Sequence, residues 1–457
     1  MHDRVDYICS KTIEWSLIFI IAAVPLIINP GAFDLWYRPK IESVYALVII
    51  AGAAWLLKTI FKDKSLLWER NPVTIPFLCY LAAAFVSTVF STDVKLSLIG
   101  DPLRVEGLFS VFAYGALMLL FVNQVKTKNL EKKLFTGFIC GATLVSIYAV
   151  VQYFGYNPTE HFFYRYWRRG PGVGSTIGNQ NFLGKYLVLI IPVIFSLCFD
   201  SLKLKKSLLA GLSLLLCFAA LIATYTRASW LSIVFGLMVF LYLAFRNSLL
   251  AGKWKPLAAC LLMLLFTVVL FNFYVPRGAA SKASSFKHKE PGGVVKRTVS
   301  AFQFKEGRGV ATRLYVWEKA MHLIMERPWF GHGLETFQAA FRPYNREYAK
   351  RFNDFTSVDR IHNNYLDTAF SLGLAGLASY LTIIASFLFF LWQVIKVVED
   401  RSRKLFYIGI LSGFCGYLVN DLFIFSVVSV SPTFWSLMGL TIAAGRLEHS
   451  KGGTVNV

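Results

Sequence analysis

Residues 207–246 read SLLAGLSLLLCFAALIATYTRASWLSIVFGLMVFLYLAFR. Two apolar runs, 207–225 and 229–246, flank a tight turn that carries a single charge, Arg227. Each run has the roughly 17–22 residues that cross about 30 Å of hydrocarbon as a helix. Backbone amides in lipid must be paired internally, so such runs fold as helices. A β-barrel would show short alternating segments instead, and none appear. The stretch is a membrane hairpin with an arginine at its tip.

The same pattern recurs along all 457 residues, which are 56% apolar, above the roughly 45–50% of soluble domains. Spans are expected near 13–29, 43–61, 73–90, 106–123, 134–154, 181–199, 207–225, 229–246, 256–275, 365–395, 405–425 and 430–445. The fold class is therefore all-α, a polytopic membrane protein of about 12 transmembrane helices. The tenth run is overlong, so its first turns are expected to project beyond the bilayer or to tilt. The polar start MHDRVDYICSKTIEW lacks the pattern of a cleaved signal peptide, and the first run is expected to stay as an anchor. The seven cysteines lie in or beside apolar runs and none falls in the long loop. They read as small buried hydrophobes, not as a disulfide framework or zinc site.

The formal net charge of +21 points to loops facing anionic lipid. No basic helix or stacking motif stands apart from the membrane runs, so nucleic acid is not an expected partner. One set of short connections holds the N-terminus, the turns near Lys62, Lys128, Lys205, Lys253 and Arg401, and the tail. It carries 22 Lys and Arg against nine in the alternate set. Positive charge stays inside, which puts both termini of this inner-membrane protein in the cytoplasm. The chain then divides into nine helices (1–275), a large external loop (276–361), and three helices with a cytoplasmic tail (362–457). The loop Pro276–Ile361 has sixteen basic and eight acidic residues, and long loops escape the charge rule. Its first part is rich in Gly, Ser and Lys. In TRLYVWEKAMHLIMERP, Leu314, Trp317, Met321 and Ile324 share one helical face, Arg313 opens the helix and Pro328 closes it. A second amphipathic helix, ETFQAAFRPYNREYAKRF, should bend at Pro343.

The sequence holds no P-loop, no DxD pair and no cluster of metal-ligating side chains. No cofactor and no metal are expected, and nucleotide-driven chemistry is disfavoured. Arginine, histidine, asparagine and aspartate residues instead sit at the outer ends of helices. Arg227 is a costly charge beside hydrocarbon whose guanidinium could fork onto phosphate oxygens; the alternative is an anchor snorkelling to headgroups. Arg313 could address an anion together with exposed helix amides, or be an ordinary solvated residue. Lys185, Asn179 and Arg169 belong to a Gly/Asn-rich helix entry, GNQNFLGKY, and the basic run before it. That entry could bring backbone amides to a ligand or be a plain loop. His362, in IHNNYLDTAFSLGLAG where the loop returns to the membrane, can take a proton from a hydroxyl near neutral pH; the alternative is a polar helix-start residue. His332, in FGHGLETF, competes for that role. Asp421, deep in a span, should pair with an arginine or with the histidine.

Four stretches, GSTIGNQNFLGKY, TRASW, TRLYVW…RPWFGHGLETF and HNNYLDTAFSLGLAG, stand in an order and spacing that resembles the O-antigen ligase and O-antigen polymerase superfamily. The likeness runs from about Gly174 to Gly439; the N-terminal third matches only as generic membrane helices. It implies a metal-independent glycosyltransferase acting on the outer face of the membrane. The implied donor is a glycan linked through pyrophosphate to undecaprenol. By that implication Arg227 and Arg313 hold the pyrophosphate and His362 activates the acceptor hydroxyl. Lys185 carries over less well, since the family position is often arginine.

The acceptor could be lipid A-core, a growing glycan or a protein. A ligase, a polymerase and a protein O-oligosaccharyltransferase all fit the motifs. A secondary transporter or lipid-linked glycan flippase is the alternative from another class. Transporters tend to show related halves and polar sites at mid-membrane, whereas here the polar residues gather at one face.

Overall fold

A computed structural model describes residues 2–29, 34, 36–63, 69, 71–155, 173–199, 204–273, 308–355 and 357–452. Arg168, Arg169 and the loop residues 276–307 lie outside this set. Among the described residues there are helices and turns but no strands.

Among the described residues ten helices precede the loop: α1 (His2–Ala22), α2 (Tyr37–Lys58), α3 (Thr74–Val89), α4 (Val94–Ile99), α5 (Leu108–Gln124), α6 (Lys128–Tyr153), α7 (Gln180–Leu197), α8 (Leu204–Ala223), α9 (Arg227–Arg246) and α10 (Trp254–Phe273). The loop contributes α11 (Arg308–Glu326) and α12 (Asn345–Phe352); α13 (Asn364–Val397), α14 (Arg401–Asp421) and α15 (Ser431–Gly452) complete the chain. Every expected span coincides with a helix. The first ends earlier than expected, because Pro25 sits in a 3₁₀ turn, Val24–Leu26, that breaks away from α1. Among the described residues seven helices are long and apolar enough to cross a membrane, and α3 and α5 are apolar but shorter.

α7 is the hub: from Phe182 to Ser196 every residue is buried. It packs on α8, α9 and α14. On α14, Gly409 and Gly413 leave room for the backbone carbonyls of Pro192 and Leu189 on α7, the close approach that small residues allow between membrane helices. Peripheral α10 instead turns Leu262, Leu265 and Phe266 outward, as a lipid-facing helix must. The exposed Cys79 and Cys140 belong to such outer faces and correct the expectation that all cysteines are buried; none is disulfide-linked. At the end opposite the loop, Arg403 pairs with Glu131 at 2.6 Å and Lys128 with Glu448 at 2.7 Å, tying α6, α14 and α15 together.

α13 explains its excess length. Its 34 residues would span about 51 Å as one helix, but the helix breaks at Gly373, where φ is +72°. The backbone groups freed there bond to the loop: Leu374 N–H to Pro328 O (2.6 Å), His332 N–H to Phe370 O (2.8 Å) and Gly333 N–H to Ser371 O (3.0 Å). Trp329 O lies where a Cβ on Gly373 would be, so glycine meets both the conformation and the contact. The first turns of α13 belong to the loop's own core, in which Phe370 packs with Tyr315, Leu323, Phe341 and Tyr348.

That core corrects the expected face of the loop helix. Tyr315, Val316, Ala320, Leu323 and Ile324 point inward, while Leu314 and Met321 are exposed. The second loop segment bends as expected, with a 3₁₀ turn at Arg342–Tyr344 around Pro343 before α12.

Candidate functional site

α9, α11 and the entry to α13 meet at one end of the bundle. Arg227 is the first residue of α9, where Thr226 directs its hydroxyl to Gln180 O (3.3 Å) and does not cap the helix. A cation at the positive end of a helix dipole is misplaced, unless an anion sits there to use both the guanidinium and the helix amides. Arg313 lies in the second turn of α11, which starts at Arg308 and not at Arg313 as expected, so the free amides of the helix start are not beside it. Trp317, one turn further on, donates its Nε1–H to Ile361 O at 3.0 Å and sets α11 against His362. Burial, and then the neighbouring Arg227, hold Arg313 below the usual guanidinium range. Burial, and then Arg313, push the His362 imidazole down to about 4. Three residues from distant parts of the chain thus share one electrostatic environment.

His362 itself has φ +57°, an uncommon conformation for a side chain other than glycine that persists only when its surroundings enforce it. On one side Asn363 caps α13, accepting from the amides of Tyr365 (3.0 Å) and Leu366 (3.1 Å). On the other, buried Arg360 pairs with Glu335 and with Asp367 (3.1 Å). Below, the Phe425 ring lies 5.4 Å from the imidazole and 5.0 Å from the Arg360 guanidinium. Arg104 joins from across the bundle, pairing with Asp359. Sequence reasoning passed over Arg104, Glu106, Glu335, Arg360 and Asp367. Glu106 was in sight, a carboxylate at the edge of an apolar run; Arg360 stands two residues before the histidine already singled out.

Four other expected site residues take structural positions. Lys185 and Asp421 are both fully buried and pair with each other at 2.5 Å, which corrects the expected arginine or histidine partner. Asp421 also accepts from Tyr380 (2.9 Å) and Asn364 (3.3 Å), and Lys185 donates to Phe425 O (3.2 Å). Their charges are paired within the bundle. His332 is 5% exposed, bonds through Nε2 to Leu323 O (2.8 Å) and stacks on Phe370. A buried ring held this way pins the loop to α13. Asn179 caps α7 through Asn181 N–H at 2.8 Å. Arg169 lies outside the described residues. Among the described residues no three His, Cys, Asp or Glu side chains converge as metal ligands.

The buried pair has a measurable signature. Lys185→Met strands Asp421 and should cost about 3–5 kcal/mol. Lys185→Met with Asp421→Asn removes both charges and should recover most of it. Thermal unfolding of the two variants in detergent measures this; equal losses in both would mean the pair is not coupled.

A family model for O-Antigen ligase matches residues 212–381, a stretch that contains Arg227, Arg313 and His362. An uncharacterized protein of Haemophilus influenzae is 24% identical over 91% of this chain and 92% of its own length. The teichuronic acid biosynthesis protein TuaE of Bacillus subtilis is 24% identical over 91% of this chain and 74% of its own. Over residues 212–381 the chain is similar to the O-Antigen ligase family, and its described residues include seven helices long and apolar enough to cross a membrane, as in a multi-pass membrane protein.

Proposed function

We propose that the protein moves a glycan from an undecaprenyl-pyrophosphate carrier to an acceptor hydroxyl on the outer face of the bacterial inner membrane. The observation that carries this reading is the convergence of two arginines and an imidazole, drawn from α9, α11 and the entry to α13.

In this reaction the bond between the sugar's anomeric carbon and the phosphate oxygen breaks, and a bond to the acceptor oxygen forms. Negative charge develops on the leaving pyrophosphate, where Arg227 and Arg313 would hold it. The hydroxyl proton passes to His362 and from there to water. Burial and Arg313, which depress the imidazole, also make it a weak base in the empty site. A bound pyrophosphate offsets that positive field, so His362 gains basicity only when donor is present. No step in this scheme requires a metal ion.

Purified protein with undecaprenyl-pyrophosphate glycan and candidate acceptors should form product in the presence of a chelator. Absence of product with every acceptor class, from folded protein that binds the donor, would overturn the reading. A growing glycan as acceptor is the second possibility, favoured by the naming of one relative for teichuronic acid biosynthesis; a ladder of products would identify it.

The proposal requires cytoplasmic termini, twelve spans and an external loop. Cysteines placed at Ser357, in the loop, and Ser402, at the start of α14, should react oppositely with an impermeant thiol reagent in intact spheroplasts. Ser357→Cys should label and Ser402→Cys should not; the reverse pattern would put the site on the wrong side of the membrane.

A further inference from the structure

The turn that follows α11 is fastened to the ends of two membrane helices. Arg327 donates through Nη1 to Phe90 O at the end of α3 (3.2 Å), and His332 O accepts from Thr92 N–H (3.1 Å). Ser97 of α4 donates to Leu334 O (2.9 Å). Pro328 O accepts from Leu374 N–H, just beyond the Gly373 break in α13 (2.6 Å). The backbone of the turn thus faces the protein, but its largest side chains do not. Trp329 is 66% exposed and Phe330 53%, and Phe330 stacks on the exposed ring of Phe90 at 5.6 Å.

Two apolar stripes run into this turn. On α3, Ile75, Leu78, Phe85 and Val89 are exposed at spacings that share one helical face, and the face ends at Phe90. On α13, Leu374, Leu381 and Phe389 share another, which begins immediately after the Gly373 break. α3 packs against α13, so both lipid-facing stripes reach the same place. Trp329, Phe330 and Phe90 carry that surface past the ends of its helices. An apolar patch of this kind marks a contact with another surface. Its chemistry suits the boundary between acyl chains and headgroups. Tryptophan concentrates there because its ring is apolar and its N–H is wet. Basic side chains such as the exposed Arg327 reach lipid phosphates from the same depth.

We propose that the turn Arg327–Phe330, together with Phe90, is an interfacial anchor that docks the loop onto the phospholipid leaflet on its own side of the membrane. Trp329 and Phe330 lie among the upper acyl chains and Arg327 at the phosphates. Because the turn also closes α11 and holds the break in α13, the leaflet fixes the height of the loop above the membrane. The anchor is independent of the reaction proposed above and requires only that the loop end of α3 reach a membrane surface.

Photolabelling of the full-length protein, reconstituted in vesicles of phosphatidylethanolamine and phosphatidylglycerol, tests the anchor. A photoreactive diazirinyl-phenylalanine replaces Trp329 in one variant and Phe90 in a second. In a third it replaces Arg346, on the exposed, charged face of α12 beside Glu347 and Lys350. All three side chains are exposed, so an aromatic replacement should leave the fold intact, and thermal unfolding checks this. On irradiation, positions 329 and 90 should yield mostly phospholipid adducts and position 346 mostly products of water, as resolved by mass spectrometry. Water products as the main yield at 329 or 90 would overturn the anchor. So would an equal share of lipid adducts at 329 and 346, which would mean that the labelling does not distinguish the turn from the rest of the loop. A crosslink from position 329 to a second copy of the chain, in place of lipid, would overturn it as well and assign the patch to a protein contact.

Discussion

His362→Ala should slow glycan transfer by about 10²–10⁴-fold while leaving donor affinity close to wild type. A general base acts on the acceptor hydroxyl, so its loss appears in turnover and not in binding. The pH dependence adds a second signature. The free imidazole is held down to about 4 by burial and by Arg313, and a base works only when unprotonated. At low donor concentration, which reports the free enzyme, the rate should stay level down to about pH 5 and fall below it. At saturating donor the pyrophosphate charge raises the imidazole's affinity for its proton, so the fall should begin at higher pH. A His362→Ala protein that transfers glycan at near wild-type rate would refute the base assignment. Loss of donor binding in that variant, with folding intact, would recast the histidine as a phosphate ligand.

Arg227→Lys and Arg313→Lys should each impair transfer nearly as much as alanine at the same position. Removing one aligned donor from a developing anion costs on the order of 3 kcal/mol, or about 150-fold in rate. Lysine keeps the charge but loses the planar fork that engages two phosphate oxygens at once. Arg227 stands on the first turn of α9, where the helix amides favour an anion as well. Steady-state kinetics on the four variants measure it. Near-complete rescue by lysine at both positions would reduce the arginines to a diffuse positive field.

The helices were legible because membrane insertion turns apolar runs into helices almost by rule, and each run from 13–29 to 430–445 meets one. What the pattern could not supply was contact between distant segments. The buried face of α11 is set by Phe337, Phe341 and Phe370, residues that follow it in sequence, so spacing within the helix pointed to Leu314 and Met321 and missed by about one residue of rotation. The partner of Asp421 was misjudged for the same reason: arginine is the commoner counter-charge, but α7 brings Lys185 within 2.5 Å. His332 competed with His362 for the same role, and spacing could not show that its ring nitrogen is bonded to Leu323 O. Arg227, Arg313 and His362 were legible individually, as costly charges and a titratable ring near the membrane face. The clamp around the histidine was not, since Arg360, Glu335 and Arg104 acquire meaning only when three segments meet.

The central claim is that one site, built from Arg227 and Arg313, holds a lipid-linked pyrophosphate. Affinity for undecaprenyl pyrophosphate itself tests it most directly, because that ligand carries the leaving group and no glycan. Binding to purified wild type, Arg227→Ala, Arg313→Ala and His362→Ala should show tenfold or greater weakening in both arginine variants and near wild-type affinity in the histidine variant. Unchanged affinity in both arginine variants, with the proteins folded, would contradict the account.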